Sequence, residues 1–276
     1  MKTWSNRLLV GVSLLLLECG GSVGPRSAPA SNTARSRQSE VVLLGTGHDL
    51  SQTPSFSPQV MVSIFEAFHP SILLLELPID WFDGDSPAPN TRRILEKGTT
   101  SAMNIAWAYC RRTGVRCLPF DVRGRNDFYR ETRFLDREDA FWDAFLQEAK
   151  ARTPLPYEAV RRLATLKRSC SRAAPEVLCS TICDAVVENE HGYRDELARN
   201  LLSMGWAYSD AAFFELSTKE WNDRNRAMAS NICDVGRNNA GARVIVTVGH
   251  EHRYALRRFL EENCRDVRLR ELPDRP

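Results

Sequence analysis

The residues best suited to chemistry cluster where β-like runs end. The chain has five histidines, and three of them stand in the segments Gly45-Thr46-Gly47-His48 and Gly249-His250-Glu251-His252. Each segment contains a Gly-x-x-His placed directly after an apolar run. Sites in open α/β sheets form beyond the carboxyl ends of strands. Glycine at such an end lets the backbone turn tightly and approach a ligand with no Cβ in the way. The pair points to His48 and to His252 or its neighbour His250 as imidazoles at strand ends. His250 rivals His252, because a continuing strand would place both on the same face. A loop histidine satisfied by its neighbours is the plainer reading of His48.

Glu76 follows Ile72-Leu73-Leu74-Leu75 at the end of a run apolar on both faces. A carboxylate there needs a partner, a metal or a raised pKa; a strand-end salt bridge is the alternative. Glu66 makes the contrast, falling opposite the Val60–Ile64–Phe68 stripe and so facing solvent. Asp121 closes a third run and reads as an orienting group or an ordinary turn residue. Arg224 flanks the apolar stripe Trp221, Met228, Ile232 and Val235, while Asp223 and Arg226 point away. It either snorkels outward or aims its guanidinium fork at a carboxylate or a developing oxyanion.

Two histidines and a carboxylate match a hydrolytic metal site with one position open for water, and would make His48, Glu76 and His252 the ligands. Gly45, Gly249, His250 and Asp121 would then surround the bound group. Without a metal, His48 or Glu76 would act as general base on water and the second histidine as acid. No β-like run is followed by a Gly-x-Ser-x-Gly elbow, and neither a P-loop nor His-Glu-x-x-His occurs.

The elements that must position these residues alternate in the manner of an α/β layer. Strands are expected at Val41–Leu44, Ser71–Leu77, Val115–Phe120, Arg243–Val248 and Val267–Leu269. Ser57-Pro58 has the form of an N-cap with proline at the first helical position, opening a helix through Phe68. Further helices are expected over Thr91–Arg112, Thr218–Val235 and Arg253–Glu262. Between about 125 and 216 no strand run occurs, so Glu138–Arg152, Tyr157–Arg168 and Arg194–Met204 read as a helical insertion or cap. The expected class is α/β, with a mainly parallel central sheet flanked by helices.

Residues 1–19 carry Lys2, Arg7 and the apolar run Leu8–Leu17, a pattern of export that is too short to span a bilayer. Cys19 after Leu-Leu-Leu-Glu matches a lipoprotein cleavage site except at Glu18, a position normally small. A lipidated Cys19 would anchor the chain to a membrane, and plain secretion is the alternative. Residues 20–39 read as a tether, leaving 40–276 as the folding unit. Eight cysteines fit an oxidising compartment such as the periplasm or cell envelope, with Cys110/Cys117 close and Cys170, Cys179 and Cys183 clustered. If Cys19 carries lipid seven remain, so at least one lacks a partner in the chain. Of 276 residues, 37 are basic and 35 acidic; the formal charge of +2 gives no field for gathering nucleic acid.

The ordered set Gly45-Thr46-Gly47-His48, Pro70-Ser71-Ile72-Leu73-Leu74-Leu75-Glu76, Arg224-Asn225-x-x-Met228 and the second Gly-x-x-His resembles the TraB/TIKI-like superfamily. That group includes GumN-, PrgY- and erythromycin-esterase-like proteins. The resemblance spans Val41 to about Leu260 with the middle unmatched. It implies an α/β core whose site is His48, Glu76, Arg224 and His252. The TIKI branch consists of metal-dependent peptidases, and the esterase-like branch uses His and Glu without a required metal. Other members are haem- or iron-binding lipoproteins. Relatives often carry a second glycine where this chain has Gly-His-Glu-His. Two readings follow: an exported or lipid-anchored hydrolase of a peptide or small-molecule amide or ester, or a non-catalytic lipoprotein holding haem, a metal or a small ligand.

Overall fold

The computed structural model describes residues 38–47, 50, 55–98 and 101–273. His48 and the export segment with Cys19 lie outside the described residues.

Five strands among the described residues form one all-parallel sheet: β1 (Ser39–Thr46), β2 (Ile72–Pro78), β5 (Arg116–Asp121), β6 (Arg243–Gly249) and β7 (Val267–Arg270). The spatial order is β5-β2-β6-β1-β7. A two-residue hairpin, β3 (Phe82–Asp83) with β4 (Ser86–Pro87), stands apart from it. The chain leaves β2 toward β5 and leaves β6 in the opposite direction toward β7. A crevice therefore opens between the carboxyl ends of β2 and β6, the place where such sheets hold ligands.

Alternation along the strands sends side chains to two apolar layers. Val42, Leu44, Leu73, Leu75 and Ile245 meet α1 (Pro58–Phe68) and α3 (Ala102–Thr113). Val41, Leu43, Leu74, Val246 and Val248 meet α9 (Ala212–Asn238) and α10 (His250–Asn263). Helix α1 starts as its sequence indicates: Ser57 Oγ accepts from Val60 N–H at 3.3 Å, and Pro58 takes the first position. Glu66 is exposed and pairs with Arg112.

Several boundaries differ from the sequence reading, three of them instructively. β1 begins at Ser39, inside the expected tether, because Ser39 is buried and donates to Gly236 O and Asn239 O at 2.9 and 2.8 Å. The helical stretch expected near Thr91–Arg112 is divided into two helices, α2 (Pro89–Lys97) and α3. Asn104 donates to the carbonyls of Ile94 and Leu95, satisfying the end of α2, and a Cβ on Gly98 would stand 2.7 Å from Asn104 Oδ1. The long helix begins at Ala212 rather than Thr218, because Phe213 and Phe214 bury themselves against Phe141 of α5 (Phe134–Arg152).

The insertion consists of α4 (Arg125–Glu131), α5, α6 (Pro154–Ser171), α7 (Pro175–Leu178) and α8 (Thr181–Ser203). Its core is aromatic: Phe134, Phe141, Phe145, Phe213 and Phe214 are buried together. The 27 residues of α9 reach about 40 Å at 1.5 Å per residue. Its first turns belong to this aromatic core, and Met228, Ala229 and Ile232 belong to the sheet layer. Trp221, Arg224 and Asn225 fall between the two.

Among the described residues three disulfides form, Cys110–Cys117, Cys170–Cys183 and Cys233–Cys264, and Cys179 is free and buried. These bonds fit an oxidising, extracytoplasmic compartment. No helix of the described residues is long and apolar enough to cross a membrane.

Candidate functional site

Glu76 reaches the crevice through an irregularity in β2. Leu75 stands opposite Pro119 and Pro78 opposite Asp121, so β2 has one residue more than β5 over that stretch. Extra residues of this kind re-aim side chains at strand ends. The carboxylate is buried, with Oε2 accepting Gly249 N–H and Oε1 accepting Arg224 Nη2, both at 2.6 Å. Gly249 also caps α10, so the anion sits where a helix start favours negative charge.

Arg224 joins the site's parts. Its Nε and Nη2 donate to the two oxygens of fully buried Asp121 at 3.0 and 2.9 Å. Its Nη1 faces His252 Nε2 at 3.1 Å. Asp121 also accepts Val122 N–H at 2.7 Å and pairs with Arg125. Burial works to lower the pKa of Arg224, but the hydrogen bond to Asp121 and the charges of Asp121 and Glu76 prevail and raise it. The guanidinium is a permanent cation. Of its five N–H bonds, these contacts take four, leaving one on Nη1 among the described partners.

His252 has a defined hydrogen-bonding state. Asn225 Nδ2 donates to Trp221 O at 2.7 Å, which orients the amide and turns Oδ1 toward His252 Nδ1 at 2.8 Å. Nδ1 therefore donates, and Nε2, facing a guanidinium that can only donate, accepts. This assignment rests on the partners and gives a neutral imidazole. Trp221 stacks on the ring at 4.3 Å and 17°. Glu76 Oε1 is 3.8 Å from Nε2.

The rivalry between the two histidines ends with the strand. Helix α10 begins at His250, so His250 and His252 point about 200° apart rather than to one face. His252 enters the crevice and His250 lies toward β1, where a Cβ on Gly45 would stand 3.3 Å from His250 Cα and 3.2 Å from Arg253 Cδ. Gly45 thus admits the first turn of α10, Gly249 supplies an N–H to Glu76, and Asp121 holds Arg224. All three are engaged with the protein itself.

The metal reading meets an obstacle in this arrangement. The guanidinium of Arg224 stands between Glu76 and His252, and both Glu76 oxygens already accept N–H donors. A divalent ion bound by that pair would lie against a fixed positive charge. Among the described residues, no group of three or more His, Cys, Asp or Glu is placed to hold an ion. The described ligand pair does not fit a metal as it stands.

A cavity of about 350 Å³ opens on the site, lined by Glu76, Arg224 and Trp221 and walled also by Tyr129, Glu138 and Glu220. Tyr129 donates to Glu220 at 2.8 Å and Ser217 to Glu138 at 3.4 Å. Burial raises the pKa of Tyr129, Glu138 and Glu220, so this wall favours protonated groups. Tyr129 and Glu138 belong to the insertion and carry no local sequence signal. Glu220 does, standing one turn before Arg224 on the same helix flank.

The class defined by fold and site is an α/β protein with a Glu–Arg–His network at the switch point of a parallel sheet, under a helical insertion. No family model matches the chain, and neither the curated proteins nor the solved structures give a significant match.

Proposed function

We propose that the chain is an exported hydrolase of the TraB/TIKI-like type, cleaving an amide or ester bond in a peptide or small molecule. The observation that carries this reading is Arg224, a mostly buried cation held between Glu76 and His252 beside a cavity. Its remaining Nη1–H and its charge serve a carbonyl oxygen that becomes an oxyanion as water attacks. His48 or Glu76 takes the proton from that water and returns it to the leaving group as the bond breaks. His252, expected from the sequence to be the acid, is neutral with Nε2 accepting from Arg224, and so steadies the cation instead. Asp121 and Asn225 hold the cation and the imidazole in place, so little reorganisation accompanies attack. In this reading the envelope is the working compartment, with lipidation of Cys19 as the anchor.

A binding role without turnover uses the same cavity. It is favoured by the complete engagement of Glu76 and Asp121 with protein donors.

The test is turnover of p-nitrophenyl ester and peptide-amide pools by the purified chain, before and after chelation. Wild type should hydrolyse at least one pool, and His48→Ala and Glu76→Gln should each lower kcat by about 10²–10⁴ while unfolding stays cooperative. Undiminished turnover in both variants disposes of the site. Saturable ligand binding with no turnover in any pool supports the binding role instead.

A further inference from the structure

Helix α6 is poorly covered for its length. Of its 18 residues only Val160 and Cys170 are buried. Leu155, Arg162 and Leu166 fall on one outward strip at helical spacing, and Leu155 and Leu166 are 84% and 52% exposed. The Cys170–Cys183 bond ties the end of α6 to the start of α8. It holds the last turn of α6, with Leu166 one turn before Cys170, against the first turn of α8, where Ile182 is 75% exposed. Val177 of α7, also exposed, lies in the connection between them.

Charge gathers on the same segment. Residues 154–182 contain five basic side chains (Arg161, Arg162, Lys167, Arg168, Arg172) and two acidic ones (Glu158, Glu176), a formal +3. The whole chain carries +2, so all its other residues together come to −1. Lys167 turns inward to Glu190 at 2.8 Å and Glu251 at 3.3 Å. Arg161, Arg162, Arg168 and Arg172 remain on the exposed surface, the first two also touching Glu158.

Aliphatic side chains set among arginines suit the boundary of an anionic bilayer. Leu, Ile and Val enter the acyl edge while arginine stems lie along it and their forks meet phosphates. Protein interfaces instead concentrate Trp, Tyr, Phe and Met at their centres, and the exposed large apolar residues of 154–182 are all aliphatic. We propose that the face made by α6, α7 and the first turn of α8 docks on an anionic lipid surface. This contact needs neither an acyl chain on Cys19 nor the hydrolase reading.

The experiment is flotation of the full chain, carrying Cys19→Ser, with phosphatidylcholine vesicles that contain or lack phosphatidylglycerol. Two variants are compared with it: R161E/R162E/R168E, and L155S/L166S/I182S, each checked for cooperative unfolding. The serine variant keeps the test sound if charge reversal beside Glu158 disturbs the helix. Affinity for phosphatidylglycerol vesicles should fall in both, by roughly fivefold per arginine reversed in the first, and wild type should bind phosphatidylcholine alone far less. Flotation of both folded variants equal to wild type overturns the proposal. So does a wild-type dimer that either variant abolishes, since the face would then join two copies of the chain.

Discussion

At the scale of single residues, the site contrasts two kinds of acid. Glu76 and Asp121 receive Arg224 and backbone N–H groups, whereas Glu220 receives the Tyr129 hydroxyl and is kept, by burial above all, above its ordinary pKa. A carboxyl whose folded pKa exceeds its unfolded value favours folding at low pH and loses that contribution as pH rises through the folded pKa. Glu220→Gln imitates the protonated form. Its melting temperature should therefore exceed that of wild type at pH 8, with the difference closing as pH falls below about 4, where unfolded glutamate also protonates. Thermal scans of both proteins across that range check the sign, and a difference that grows toward acid would refute it. Glu76 and Arg224 were legible in the sequence because each obeys a local rule, the end of a doubly apolar strand or the flank of a helical stripe, and the second Gly-x-x-His marked a strand end without choosing between its two histidines. Tyr129 and Glu138 were not, since their place at the cavity depends on how the insertion folds back. The choice between His250 and His252 was equally closed to local reading, because it turns on whether Gly249 ends the strand.

At the scale of elements, the strands were readable because burial on both faces leaves unbroken apolar runs such as Ile72–Leu75, which tertiary packing reinforces. Helix ends were less so. The break after α2 depends on Asn104 reaching back to its carbonyls, and the early start of α9 on Phe214 stacking against Phe141, 5.6 Å between ring centres. The same dependence on distant contacts governs α10. Arg253 in its first turn donates to Leu43 O at 3.0 Å and pairs with Asp184 of α8, and Gly45 leaves room for this approach. A bulky residue at 45 must push the turn off β1, taking Gly249 N–H away from Glu76. Gly45→Val should cost about 1–3 kcal/mol in denaturant unfolding, the usual penalty of overpacking. It should also shift the His252 ring resonances, which lie under Trp221. An unchanged midpoint together with unchanged resonances would show that the close approach has no such role.

At the scale of the whole molecule, the disulfides distribute support among the layers that meet at the site. Cys110–Cys117 joins α3 to β5 on one face of the sheet, and Cys170–Cys183 closes the insertion. Cys233–Cys264 ties α9 to the end of α10, the two helices that bring Arg224 and Asn225 against His252. The sequence separations are 7, 13 and 31 residues. If cross-links act by restricting the unfolded chain, they contribute about 2, 3 and 4 kcal/mol in that order. C233A/C264A should therefore destabilise most, measured as the loss of unfolding free energy in denaturant with the other two bonds intact. It should also loosen the Arg224–His252 contact, so that the His252 resonances broaden or shift, whereas C110A/C117A should leave them in place. Equal destabilisation by the three pairs would mean that native packing rather than chain entropy governs these bonds. A sheet whose catalytic-looking residues come from a strand, a long helix and a helix start needs those elements held in register, and the longest loop closed is the one that holds the two helices together.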